Sequence, residues 1–490
     1  MEEQLKVNSL DSSPDDFLYA DFKQERIARW DMLGRNLDRR KSLSGYYHRR
    51  LSDIYRFIVA PNQRVLEVGC GRGDLLSALK PSVGVGIDFS EEMIVRARRR
   101  HPELRFIQAD AHEFDIDGKF DVIILSDLVN DLWDVQNVFE KLRLVSAPGA
   151  RIICNFYSNV WMNPLWLAQK LKVAQPLLPQ NWLTREDVLN LFYLTEFEVI
   201  RCWSEILCPL PIPIVKTLAN RFLVKFWPFN LMALTNFMVA RPRPQGKIAV
   251  EEPAVSVIIP VRNEAGNIPR IFERMPKIGK NTELIFVEGH STDNSFEVIR
   301  KCIADYPGWR CKLLKQTGSG KGDAVRLGFR NASGEILMIL DADLTVAAED
   351  LGRFYECLCN GKADFVNGVR LVYPRQKKAM RFLNLLANKF FGIVFSWLIG
   401  QHVKDTLCGT KALWRKDYSR ISENRKYFGD FDPFGDYDLI FGAAKLNLKI
   451  VDMPVRYHER KYGRTNIQRW RHGLLLLRMI FFSARKIKFV

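Results

Sequence analysis

Acid is what this chain is short of. Its 490 residues carry 73 Lys and Arg against 56 Asp and Glu, a formal net charge of +17, so an anionic partner is expected: nucleic acid, a lipid surface or a phosphorylated substrate. The deficit is steepest at the carboxyl end, where Glu459 is the only acid between Arg456 and Val490. Cysteine is sparse as well. The nine cysteines are odd in number and scattered, which excludes a disulfide framework and paired zinc spacing and makes a reducing cytoplasm the expected compartment. No apolar run reaches the roughly 18 residues of a membrane span, and the amino terminus, MEEQLKVNSLDSSPDD, lacks the apolar core of a secretory signal. Internal repeats and low-complexity tracts are also missing.

What is present is a folded composition, 47% hydrophobic and 26% charged, in a chain too long for one ordinary core, so two domains are expected, with three as the alternative. The most informative stretch is EILMILDADLT, Glu335 to Thr345. Ile336, Leu337, Met338, Ile339 and Leu340 lack polar alternation, which predicts a strand covered on both faces in a parallel sheet. Asp341 and Asp343 fall at its carboxyl end, where such sheets bind ligands. Two hard oxygen donors one residue apart suit Mg²⁺ or Mn²⁺ with positions left for phosphate oxygens. Capping of a helix near Ala347 is the alternative for an isolated Asp-x-Asp.

Taken in order, the chain begins with leading helices (1–62), where Phe22, Ile27, Trp30, Met32 and Leu33 form an apolar stripe suited to a lid. RVLEVGCGRGDLL follows as strand, glycine turn and helix start, with Gly69, Gly71 and Gly73 admitting a ligand against the backbone. VGVGID ends at Asp88, about 20 positions further on, where a carboxylate can accept ribose hydroxyls. LRFIQAD ends at Asp110, and FDVIILSD leads to Ser126, Asp127, Asn130 and Asp131 as candidate groups facing a substrate or capping a helix. His112 is expected beside the pocket, mainly on the surface. Glu67 before a GxGxG turn, with an acid closing each of the next two strands, resembles the class I S-adenosylmethionine-dependent methyltransferases. The resemblance implies a Rossmann-like fold in which Glu67, Gly69 and Gly71 line the methionine part, Asp88 the ribose, and Asp110 with Ala111 the adenine of S-adenosylmethionine.

The methyltransferase-like domain is expected over 1–245, with its core at 63–157 and an insertion with closing strands at 158–240. Within the insertion EILCPLPIPIV is barred from regular helix by its prolines; the insertion is expected to cover substrate, or to touch a membrane or the second domain. Residues 246–253 lie in a Pro-rich, charged linker.

From Ala254 onward strand and helix alternate again, each strand ending in polar groups: Pro260, Asn263 and Glu264 after VSVIIP, then Glu288 after ELIFV. TGSGKGDA is not a P-loop, because Lys315 stands where the first glycine is needed and Gly322 where Ser or Thr is needed. With the paired aspartates, the set resembles the family 2 glycosyltransferases of the GT-A fold over 254–490, and DTLCGTKAL, GDYDLIFGAAKLNLKIVDMPVRYHERKYGRTNI and the basic apolar end narrow the likeness to dolichol- or polyprenyl-phosphate sugar transferases. That resemblance implies a nucleoside-diphosphate sugar held by Pro260, Asn263, Glu264, Glu288, Lys321 and Asp341. It implies a divalent ion on Asp341 and Asp343, with Thr345 as a weak third ligand. A phosphate acceptor would be gripped by Arg370, Arg381 and Arg460, each with a solvated surface role as the alternative. A hydroxyl acceptor would instead require Asp436 or Asp438 as base.

The end of the chain, 464–490, alternates basic and apolar residues and is expected to lie in a membrane interface, with a core helix as the alternative. The fold class is α/β in two domains, Rossmann-like then GT-A with an amphipathic tail, and the function a fused methyl and sugar transferase at the inner membrane face. Two other readings remain at this point: a first domain that binds S-adenosylmethionine only to regulate, and a nucleic-acid-binding methyltransferase.

Overall fold

The computed structural model describes residues 14–36, 45–171, 177–246, 251–373, 382–424, 435–460, 462–463 and 469–490. The chain divides into two compact units, Met1–Arg243 and Pro244–Val490. Among the described residues each is built on a seven-stranded sheet.

In the first unit the strands are β1 (Arg64–Val68), β2 (Val83–Asp88), β3 (Arg105–Gln108), β4 (Phe120–Ser126), β5 (Ser146–Tyr157), β6 (Phe197–Glu205) and β7 (Thr235–Pro242), in the spatial order β3-β2-β1-β4-β5-β7-β6. β3 through β5 pair in parallel, whereas β7 runs antiparallel to both β5 and β6. Strand order reverses between β1 and β4, and a parallel sheet opens a cleft above its carboxyl ends at that point. Alternate residues serve two cores: Leu66, Val68, Ile123 and Leu125 pack in one, Val65, Val122 and Ile124 in the other.

The second unit comprises β8 (Val255–Val261), β9 (Thr282–Glu288), β10 (Arg310–Lys315), β11 (Ile336–Ile339), β12 (Phe365–Val369), β13 (Lys411–Trp414) and β14 (Ile450–Pro454), ordered β10-β9-β8-β11-β13-β12-β14. The aspartate strand β11 is parallel to β8 but antiparallel to β13, so the all-parallel sheet expected from its unbroken apolar run is corrected to a mixed one. The run reports burial on both faces and carries no information about a neighbour's direction. Ile336, Met338 and Leu340 pack with Phe272, Phe286 and Phe354, while Leu337 and Ile339 point the other way, against Phe395, Tyr437 and Phe441, as the two-residue period of a strand requires. Each such side chain contributes about 1.5–3 kcal/mol on burial.

The helices Phe382–Ile399 and Arg469–Ser483 are divided between core and solvent. Phe391, Phe395, Leu398, Leu476 and Met479 join the core, whereas Ile393, Leu474 and Phe481 are exposed. Among the described residues no helix is long and apolar enough to cross a membrane.

Candidate functional site

Each unit gathers polar groups above the carboxyl ends of its central strands. In the first, the chain leaves β1 through a glycine turn whose backbone requires glycine: Gly69 and Gly73 have φ of 72° and 74°, and a Cβ on Gly73 would lie 2.4 Å from Phe106. The amides of Gly69 and Cys70 donate to the Ile87 carbonyl at 2.8 and 3.0 Å, which ties the turn to β2. Asp88, at the end of β2, accepts from the Gly71 amide at 2.8 Å and the Ser90 amide at 2.9 Å. Burial raises its carboxyl, and these two donors oppose the rise.

A partly open cavity lies above this turn, lined in part by Gly69, Asp88, Asp110, Ala111 and His112. Glu67 and Gly71 are not among the lining residues. Glu67 is buried beneath the turn, one Oε2 has no hydrogen-bond partner, and burial pushes its carboxyl up to about 8. His112, expected mainly at the surface, lines the cavity. Its Nε2 accepts from the Asp134 amide, so Nδ1 carries the proton toward Asp110, 2.8 Å away.

Sequence reasoning missed most of the cavity's outer wall. The leading helix Pro14–Asn36 supplies Tyr19, Phe22, Lys23 and Arg26 to it. Tyr19 donates to Asp110 at 2.7 Å, Lys23 lies 2.8 Å from the same carboxylate, and Arg26 reaches Asp131 at 2.9 Å. Burial alone would raise the Asp110 carboxyl, but His112, Lys23 and Tyr19 hold it well below the usual range. Only the apolar stripe through Phe22 signalled the wall. The candidate substrate groups separate: Asp127, with φ of 54°, accepts from Tyr47 at 2.7 Å and Asn155 at 2.5 Å, whereas Asn130 braces the backbone by accepting from the Tyr157 amide and donating to the Asn181 carbonyl.

In the second unit Asp341 and Asp343 each meet a cation. Lys321 Nζ lies 2.5 Å from Asp341; burial by itself would lower this ammonium, but Asp341 and Asp436 raise it. Arg460 forks between Asp343 at 2.5 Å and Glu264 at 2.8 Å. Glu264 also accepts from Asn267 at 2.6 Å. Thr345 donates its hydroxyl to Asp343 at 2.8 Å, and an isolated bridge between Val346 and Tyr457 brings the segment bearing Arg460 alongside. Gly409 closes the other side, since a Cβ there would fall 1.9 Å from Lys321 Nζ and 2.3 Å from Asp341. The Asp341 and Asp343 side chains retain 32% and 14% exposure, so they face an open cleft and neither caps the helix Leu351–Cys359, which begins beyond them. Hard oxygens from two carboxylates and a hydroxyl fit Mg²⁺ or Mn²⁺.

The nucleoside candidates lie around one turn. Asn263, with φ of 58°, accepts from the Thr292 amide at 2.7 Å, and Glu288 accepts from the Ser291 amide at 2.5 Å. Pro260 is half-buried at the end of β8. The other candidates are committed elsewhere. Arg370 is held by Asp405 through two contacts of 2.7 and 2.9 Å, with Asp405 fully buried. Asp436, in the first turn of the helix Asp436–Lys445, pairs with the fully buried Lys411 at 3.1 Å, and Asp438 is buried beside it. Arg381 lies outside the described residues.

Two α/β units, one with a glycine-turn cavity and one with a paired-aspartate cleft, define a double transferase architecture. In agreement, a methyltransferase-domain model matches residues 60–195 and a glycosyl transferase family 2 model matches residues 256–421. The undecaprenyl-phosphate 4-deoxy-4-formamido-L-arabinose transferase of Pectobacterium atrosepticum is 33% identical over 213 residues, 43% of this chain and 61% of that protein. The dolichol-phosphate mannosyltransferase of Pyrococcus furiosus is 33% identical over 222 residues, covering 44% and 59% respectively, and glycosyltransferase AglJ of Haloferax volcanii 27% identical over 234 residues, covering 47% and 72%. The match thus spans about three-fifths of the length of the first two relatives. The chain carries a methyltransferase domain followed by a family 2 glycosyl transferase domain.

Proposed function

We propose that the protein is a bifunctional enzyme. Its second domain moves a sugar from a nucleoside diphosphate to polyprenyl phosphate, and its first transfers a methyl group from S-adenosylmethionine. The observation that carries the sugar-transfer reading is the cleft in which Lys321 and Arg460 hold Asp341 and Asp343. Asp341, Asp343 and the Thr345 hydroxyl would hold a divalent ion, which when bound offsets the charge that the departing diphosphate gathers. Lys321 and Arg460, sharing those carboxylates, orient phosphate oxygens of donor and acceptor. An acceptor phosphate is already ionised near neutral pH and needs no general base, which agrees with Asp436 being tied to Lys411. Asn263, Glu264 and Glu288 border the nucleoside. Action on a lipid phosphate puts the protein peripherally at the inner membrane face.

For the first domain we assign Glu67, whose buried Oε2 is orphaned beneath the glycine turn, to the methionine part, Asp88 to the ribose, and Asp110 with Ala111 to the adenine. The test is a screen of UDP- and GDP-sugars with Mn²⁺ and polyprenyl phosphate. Asp341→Asn with Asp343→Asn abolishes sugar transfer and leaves S-adenosylmethionine affinity unchanged; normal transfer by that double variant would refute the assignment.

A further inference from the structure

The first unit exposes an apolar surface that its cavity does not use. The helix Met162–Lys170 has no buried residue, and Trp166 on it is 60% exposed. The segment from Ile206 to Ala233 folds as a flap of short turns on which Ile214 and Trp227 are 81% and 78% exposed, with Leu218 and Met232 also in solvent. Helix and flap are fastened together. The Trp161 indole donates to the Met232 carbonyl at 2.8 Å, while Asn220 pins the flap internally through both backbone groups of Cys208 and externally to the Tyr46 hydroxyl at 2.9 Å. Tyr46 belongs to the helix Gly45–Ile58, whose Tyr47 reaches Asp127. The surface therefore borders the sheet end that carries the candidate methyl-acceptor groups.

Charge identifies the occupant. Neither Ser158–Leu183 nor Ile206–Ala233 contains a single Asp or Glu, and the cations Lys170 and Arg221 are exposed within these segments. Large apolar and aromatic side chains, cations at their margins and a complete lack of acid are what an anionic bilayer interface selects. So many exposed large apolar side chains in two linked segments are otherwise rare on a surface facing water. We propose that the methyltransferase domain docks by this surface onto anionic lipid, with Trp166, Ile214 and Trp227 entering the headgroup layer and Lys170 and Arg221 on phosphates. The inference is independent of the sugar-transfer reading and of the carboxyl-terminal helix.

The test uses the full chain and vesicles of phosphatidylglycerol with phosphatidylethanolamine, or of phosphatidylcholine alone. To remove any contribution from the last helix, the parent carries Leu474→Glu, Leu477→Glu and Phe481→Glu, all at exposed positions. This parent is expected to float with anionic vesicles and much less with neutral ones. Adding Trp166→Glu, Ile214→Asp and Trp227→Glu is expected to lower its partition about tenfold or more. Thermal unfolding and S-adenosylmethionine affinity, read on the same sample, stay as in the parent. The proposal is overturned if the parent fails to bind vesicles, if neutral and anionic vesicles bind it equally, or if the added substitutions leave partition unchanged.

Discussion

Arg460 and Asp343 meet at 2.5 Å although 117 positions separate them in the chain. The same guanidinium binds Glu264, 196 positions away, so one residue joins the turn after β8 to the turn after β11. A divalent ion held at the proposed site would compete with Arg460 for the Asp343 carboxylate, and this has a measurable consequence. Arg460→Ala should tighten Mn²⁺ binding, read by titration calorimetry, while sugar transfer falls about a hundredfold for want of a phosphate-binding cation. Stability of the second unit should drop by only about 1–2 kcal/mol, between the values for exposed and buried pairs, because Arg460 is 28% exposed.

Gly409→Ala is the smallest change that should disable the second site. Its Cβ would occupy the space of Lys321 Nζ and the Asp341 carboxylate, so the pair must separate. The expected result is sugar transfer reduced about tenfold or more, since misplacement near 1 Å commonly has that effect. Far-ultraviolet circular dichroism and S-adenosylmethionine affinity should be unaltered.

Asp405 ties stability to pH. Its burial alone would raise the carboxyl, but Arg370 and its hydrogen-bond donors hold it at about 2. A carboxyl lowered on folding stabilises above its unfolded value and loses that contribution as pH falls, so about 2 kcal/mol should disappear between pH 4 and 2. Asp405→Asn should flatten this acid limb in urea titrations of the second unit. At neutral pH it should cost about 3 kcal/mol, because Arg370 is left buried without its counter-charge.

Glu67 runs the other way. Burial pushes its carboxyl up to about 8, so the folded first unit retains a proton that the unfolded chain releases above about pH 4.5. Stability from this group is full below that value and declines as pH rises toward 8, by about 3 kcal/mol at pH 7. Glu67→Gln should remove the decline. If a ligand ammonium settles against Glu67, wild type should release close to one proton on binding S-adenosylmethionine near pH 7, measured by calorimetry in buffers of different ionisation enthalpy. The Gln variant should release none and bind more weakly.

The paired aspartates, the glycine turn and the strands feeding both were legible because each is local: an apolar run followed by acids, or glycines at a fixed spacing after a strand. Burial on both faces of β11 was legible too, but the direction of β13 was not, since pairing direction leaves no trace in the residues of β11 itself. The wall formed by Tyr19, Lys23 and Arg26 was hidden for a similar reason: nothing around Pro14–Asn36 indicates that Asp110, 91 positions beyond Tyr19, is its partner.

The amino-acid order by itself therefore determined two α/β units and which acids end which strands, because strand period, glycine conformation and charge spacing act over a few residues. Only the tertiary structure decided how those acids are answered. It committed Arg370 to Asp405 and Asp436 to Lys411, delivered Arg460 to Asp343, and left Trp166, Ile214 and Trp227 facing solvent. The physical reason is that a buried charge must be neutralised by whichever opposite charge the fold brings within about 3 Å, a condition set by long-range packing and not by neighbours in sequence.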